Sequence, residues 1–192
     1  MPKFKKYILE IGPGYIDTKR LEIAKKHPDW LICILDNNLF LLKKYRGDSK
    51  GVPNFVLKQG NVVNPIIGLD FMTKKGIFTI KENTFDQIHV HGVFSSQEFN
   101  LESFSKKIIL PNYIQMALEN LLAVLKPGKT MYVSGEYGQR HIKKSKESLE
   151  TALEKLGYIE GKNYKVSKIS MSPLGMNVGT HNMRTYQIRK KG

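Results

Sequence analysis

A carboxylate, a glycine turn, a second carboxylate, an amide and two imidazoles stand out as residues able to do chemistry. Glu10 lies in Tyr7-Ile8-Leu9-Glu10-Ile11-Gly12-Pro13-Gly14-Tyr15, a β-prone apolar run that ends in a turn poor in side chains. A charge inside such a run is costly unless it has a partner. Gly12 and Gly14 let the backbone turn sharply and let a ligand approach the main chain. Asp36 and Asn37 close a second apolar run, Trp30 to Leu35, and Gly60-Asn61-Val62 follows a third. His89 and His91 alternate near the end of a fourth, and imidazole exchanges a proton near neutral pH. The structural alternative for the pair is two buried, hydrogen-bonded rings on one strand face.

These residues are useful only if the chain brings them together. The spacing predicts a first strand over 6–11 and a helix capped by Asp17 or Thr18 that runs to about His27. The second strand, Trp30 to Leu35, is continuously apolar, as in a parallel sheet buried on both faces. A helix follows over 39–46, then a third strand over 54–58. Residues 65–71 are expected as a short helix and 76–82 as an extended excursion. The fourth strand is 85–91, and 92–110 reads as a loop rich in Ser and Lys that carries Phe94, Phe99 and Phe104. Pro111 opens a helix whose Ile114, Ala117, Leu118, Leu121, Leu122 and Leu125 recur at helical spacing. Lys126-Pro127-Gly128-Lys129 turns the chain into a fifth strand, 130–134. An amphipathic helix spans 141–156, and 164–171 and 184–189 alternate like strands with no helix between them. The pattern is α/β, a single domain over 1–192 with a mostly parallel sheet, helices on both faces and an antiparallel pair at one edge.

In such a sheet ligands bind at the C-terminal ends of the strands. Three of the chemical stretches fall there. Asp36 stands at about the distance from Gly12 at which an acid accepts hydrogen bonds from a ribose diol. Asn61 offers both a donor and an acceptor to an adenine edge. The combination points to an adenosine ligand. NAD would require a third glycine and a free helix N-terminus for its pyrophosphate. That glycine position is Asp17, which repels pyrophosphate. A sulfonium ligand carries no phosphate, and its ammonium group can pair with a carboxylate.

The chain resembles a class I (Rossmann-like) S-adenosylmethionine-dependent methyltransferase. Leu9-Glu10-Ile11-Gly12-Pro13-Gly14 resembles the first motif of that superfamily, and Asp36 sits where its ribose-binding acid sits. Gly60-Asn61-Val62 resembles its adenine-contacting stretch, Thr84-Phe85-Asp86-Gln87-Ile88 the entry to its fourth strand, and Leu125-Lys126-Pro127-Gly128-Lys129 the turn before its fifth. Ile16 replaces a frequent third glycine. The fourth strand ends in His91-Gly92-Val93-Phe94, not in the Asp/Asn-Pro-Pro-aromatic pattern typical of enzymes that methylate exocyclic amino groups of bases. The resemblance implies a three-layer sandwich with a seven-stranded sheet of order 3-2-1-4-5-7-6 and an antiparallel last strand. It implies S-adenosyl-L-methionine as cofactor. Glu10, Ile11, Gly12, Pro13 and Gly14 would hold the methionyl end, Asp36 and Asn37 the ribose, and Asn61 and Val62 the adenine. His91 would lie nearest the methyl group as base or orienting group. Replacing Glu10 or Asp36 by Ala is expected to abolish cofactor affinity.

Composition bounds the partners. The formal charge is +14, but of the 31 basic residues only 5 are arginine, the stronger phosphate reader. RNA is therefore favoured only slightly over a small-molecule substrate. A non-catalytic RNA-binding module and an NAD-dependent oxidoreductase are the alternatives. Phe94, Phe99 and Phe104, and Met171, Met176 and Met183 in the stretch 172–183 and its edges, are expected on the substrate side, either at the pocket or in packing. So few residues precede the first strand that no N-terminal lid is expected; an open pocket suits a macromolecule, and a homodimer partner is the other way to close it. No apolar run approaches the roughly 18 residues of a membrane span. The single cysteine, Cys33, excludes an internal disulfide and suggests a cytoplasmic setting. No Cys/His cluster has metal-site spacing.

Overall fold

In the computed structural model, residues 4–13, 18–73, 76–136, 140–167 and 183–192 are described. The apolar runs read above become β1 (Lys6–Ile11), β2 (Trp30–Asp36), β3 (Phe55–Gln59) and β6 (Phe85–His91). All four are parallel, because each returns through a helix, a loop or a hairpin to the same edge. β7 (Leu125–Glu136) extends the parallel set, and β8 (Tyr164–Ser167) and β9 (Met183–Arg189) complete the sheet, with β9 antiparallel to both. The order is β3-β2-β1-β6-β7-β9-β8. Counting only the members of this sheet in chain order, it is the order 3-2-1-4-5-7-6 implied by the resemblance.

Side-chain parity on β1 and β2 sorts the two outer layers. Ile8, Ile32 and Ile34 face α1 (Thr18–Lys26) and α2 (Leu39–Asp48), where Leu21, Ala24 and Leu42 complete a small core. Leu9, Ile11, Leu31, Cys33 and Leu35 face the larger core built with α4 (Leu110–Val124) and α5 (Arg140–Lys155). Asn54 ties the first of these layers to the sheet. Its buried Nδ2 donates to the carbonyls of Ala24, His27 and Trp30 at 2.8–2.9 Å, anchoring the C-terminal end of α1 beside β2.

Three expectations are corrected. Residues 65–71 form no helix. The chain turns and enters β4 (Asp70–Thr73), which pairs antiparallel with β5 (Gly76–Thr79) outside the main sheet. Alternation explains it: Phe71 and Phe78 point inward, Phe78 stacks on Tyr7 at 5.5 Å, and Met72 and Ile77 point out. The Ser-rich loop contains a short 3-10 turn, Val93–Ser95, and α3 (Gln97–Ser105). Ser96 Oγ accepts the Phe99 N–H at 3.1 Å, so one of the serines that suggested a loop is a helix cap. The Lys126-Pro127-Gly128-Lys129 turn lies inside β7, where the pairing with β6 shifts register between Phe85 and Gln87. Among the described residues no helix is long and apolar enough to cross a membrane. The expectations for Gly14 to Asp17, Tyr137, Gly138 and 168–182 fall outside the described residues.

Candidate active site

Backbone hydrogen bonds tie the ends of β1 and β3 to β2, and the end of β6 to β7. Gly12 N–H donates to the Leu35 carbonyl (3.0 Å), Gly60 N–H to the Asp36 carbonyl (3.0 Å) and Gly92 N–H to the Ser134 carbonyl (2.7 Å). Above them opens a cleft of about 220 Å³. Its floor comes from Ile11, Gly12, Asp36, Asn37, Gly60 and His91; its outer wall is α3, through Glu98, Phe99 and Glu102. The sequence thus brings Ile11, Gly12, Asp36, Asn37, Asn61, Val62 and His91 to one place.

Gly12 holds φ +57, and a Cβ there would run into the Val93 side chain. Both the dihedral and the close approach require glycine. Gly12→Ala is expected to cost about 1–3 kcal/mol of stability, read by urea unfolding. A Cβ at Gly60 would likewise come within 2.6 Å of Leu35 Cδ1.

Asp36 is 5% exposed. Burial pushes its carboxyl above the usual range, as does the nearby Glu98, against the pull of the Asn38 and Asn37 N–H groups. Asn38 N–H donates to Asp36 Oδ1 at 2.8 Å, and Asn38 Oδ1 in turn caps α2. One carboxylate oxygen is therefore fixed by the chain, which orients the other. Three acids, Asp36, Glu98 and Glu102, line the cleft, and no lysine or arginine is among its described lining residues. In a chain of formal charge +14, that local inversion selects against a phosphate-rich ligand and for a cationic one. Ile11, Leu35, Leu41, Val62, Val93 and Phe99 supply apolar surface for a flat ring.

Of the other predicted site residues, Glu10 and Pro13 lie outside the cleft, and Asn61 lines it with its side chain already engaged. Asn61 Nδ2 donates to both Glu102 oxygens at 3.0 Å, and its Oδ1 accepts the Val63 N–H at 3.1 Å. The amide intended for an adenine edge is spent on tethering α3 to the strand end. Burial raises the Glu102 carboxyl, but hydrogen bonds with Lys106, Tyr113 and Asn61 outweigh this and leave it below the usual range. Pro13 is buried and is not among the residues lining the cleft. Glu10 does not line it either. Its carboxylate is fully buried, ion-paired with Arg20 Nε of α1 at 2.5 Å and 3.6 Å from His91 Nε2. Burial would raise this carboxyl, but His91 and the Arg20 guanidinium prevail and hold it at about 2.

His89 and His91 share the Glu10 face, with rings parallel at 6.1 Å, and His89 stacks on Tyr132 at 5.1 Å. His89 is fully buried, and burial pushes its imidazole down to about 3. Neither His89 nitrogen has a hydrogen-bond partner among the described residues, so the hydrogen-bonded pair envisaged from the sequence is not what forms. His91 alone of the two reaches the cleft. Sequence reasoning missed Arg20, Glu98 and Glu102. The first had a signal, since a buried carboxylate demands a cation; the other two followed from misreading α3. Among the described residues no His/Cys/Asp/Glu group is arranged to hold a metal ion.

No family model and no curated protein sequence matches this chain. Solved structures do. The CurJ carbon methyltransferase superposes with TM-score 0.61 at 10% identity, over 100% of this chain and 50% of that one. A SAM-dependent methyltransferase from Methanosarcina mazei gives 0.58 at 15% identity, over 100% and 94%. A variant of the 16S rRNA (adenine(1408)-N(1))-methyltransferase from Catenulisporales acidiphilia gives 0.58 at 16% identity, over 99% and 86%. The chain spans half the length of the first of these and nearly all of the second. At these identities the likeness establishes the fold.

Proposed function

We propose that this chain, which has the class I methyltransferase fold, is an S-adenosyl-L-methionine-dependent methyltransferase acting on RNA. The observation that carries the cofactor is the cleft at the strand ends, acidic and free of described cations, lined by an Asp36 carboxylate that the chain's own N–H groups orient. The residues present fit the group. Asp36 would take the ribose and the Gly12 turn would let the ligand approach the main chain. Leu35, Val62 and Phe99 would pack on the adenine, with Asn61 acting through Glu102 and not on the base. The bound cofactor supplies an electrophilic methyl group. The chain's part is to orient the nucleophile, exclude water and hold a proton acceptor at His91.

RNA is favoured by what surrounds the cleft. The chain carries 31 basic residues against 17 acidic ones, and three of the acidic ones line the pocket. On α3, whose inner side forms the cleft wall, Phe104 is 82% exposed and Leu101 58%, apolar surface on which bases can stack beside lysines. Calorimetry is expected to give binding of S-adenosylmethionine and S-adenosylhomocysteine and none of NAD. Absence of the first two sinks the reading. RNA affinity is expected to fall steeply with salt; turnover of a small metabolite without RNA affinity would replace RNA as the substrate.

A further inference from the structure

Glu10 occupies the position that the first-motif resemblance gives to the cofactor, yet its carboxylate is sealed from the cleft. What it faces is the imidazole of His91, whose Nε2 is also sealed, while the His91 ring lines the cleft. Neither Glu10 oxygen nor His91 Nε2 has another hydrogen-bond partner among the described residues. Arg20, from the helix packed on this face, pairs with the same carboxylate oxygen. His89, directly opposite Glu10 on β6, contributes an uncharged ring.

We propose that Glu10 is a positioning residue for His91: its carboxylate draws the His91 proton onto Nε2 and so leaves the Nδ1 lone pair as the base facing the cleft. The inference rests on the methyltransferase reading and narrows its substrate to a protic nucleophile, a hydroxyl or an N–H. A bond forms between the substrate heteroatom and the methyl carbon; the methyl–sulfur bond breaks with its electron pair staying on sulfur; the heteroatom's proton goes to Nδ1. The resulting imidazolium is compensated by the Glu10 carboxylate, and the proton then leaves to solvent. Arg20 keeps that carboxylate ionised and fixed while His91 meets the same oxygen. The 3.6 Å separation is longer than a made hydrogen bond, so the proposed dyad requires this contact to shorten.

The test uses the full chain labelled with 15N-histidine and needs no substrate. Long-range proton–nitrogen spectra at pH 8 are expected to find His91 protonated on Nε2, with that proton slow to exchange, and bare at Nδ1. The opposite tautomer, or a ring protonated on both nitrogens, overturns the proposal. Replacing Glu10 alone would strand a buried guanidinium, so the paired variant is Glu10→Leu with Arg20→Leu, which removes both charges together. In it the His91 tautomers are expected to mix, with S-adenosylmethionine affinity within about threefold of the parent. A loss of tenfold or more in affinity (about 1.4 kcal/mol) with the tautomer unchanged makes Glu10 a cofactor ligand and overturns the proposal. Failure of the parent chain to bind S-adenosylmethionine counts against the proposed function, whereas the tautomer result stands or falls alone.

Discussion

Asp36→Ala is expected to weaken S-adenosylmethionine binding by at least about 100-fold in calorimetry while leaving the chain folded. A hydrogen bond to a charged group contributes about 1.5–3 kcal/mol, so two from a ribose diol are worth about 3 kcal/mol or more, and each 1.4 kcal/mol is tenfold. The oxygen that does this work has been prepared for it. The Asn38 N–H holds Oδ1, and 5% exposure leaves little water to displace. The truncation removes the acceptor of the Asn38 and Asn37 N–H groups just before α2, whose own cap from the Asn38 side chain remains. The stability loss should therefore be about 1 kcal/mol, and thermal unfolding separates it from the loss of affinity. An affinity within threefold of the parent would remove Asp36 from the ligand site and with it the strongest support for an adenosine cofactor.

The contrast between Asp36 and Asn61 shows how far the sequence could be read. Both stand at the ends of parallel strands, and both were legible because 30–35 and 54–58 are apolar runs bounded by turn residues. Position at the sheet edge follows from that pattern. What a side chain does there depends on long-range partners, which pattern does not encode. Asp36 keeps an oxygen for a ligand, whereas Glu102, 41 residues further on, takes the Asn61 amide. Helix α3, which carries Glu102, has a faint apolar period because Leu101 and Phe104 face outward while Phe99 faces in. Its start is marked only by Ser96. Glu10 illustrates the same limit from the other side. That it needed a partner was evident from its apolar surroundings. That the partner is Arg20, with His91 beside it, required the α1 helix to be laid against that face of the sheet. Hairpin β4–β5 was hidden by its shortness: each strand is four residues long, and one aromatic per strand carries the burial.

His89→Phe is expected to stabilise the chain by about 1 kcal/mol at pH 7, and the gain over the parent should widen by about 2–3 kcal/mol at pH 4.5. At pH 7 the parent carries two buried ring nitrogens with no partner among the described residues, a cost of about 1–3 kcal/mol that a phenyl ring avoids. Phenyl keeps the stack on Tyr132, which offsets part of any crowding. The pH dependence follows from protonation in the two states. Burial holds folded His89 neutral down to about pH 3, whereas the unfolded imidazole takes a proton below about 6.5. Between those values the unfolded chain binds more protons, so stability falls as pH falls, by about 2–3 kcal/mol between roughly pH 6.5 and 4.5. Glu10 acts in the same direction over a lower range. Its folded carboxyl is held at about 2, so the stability it lends is complete above the unfolded value near 4.3 and is lost as pH drops toward 2. Phenylalanine at 89 removes the first contribution and leaves the second. Urea unfolding of both chains at pH 7 and 4.5 reads the difference, and parallel pH profiles would show that His89 is not the group that titrates on unfolding. If the profiles diverge as expected, the buried His89 ring is what costs the fold stability in mild acid.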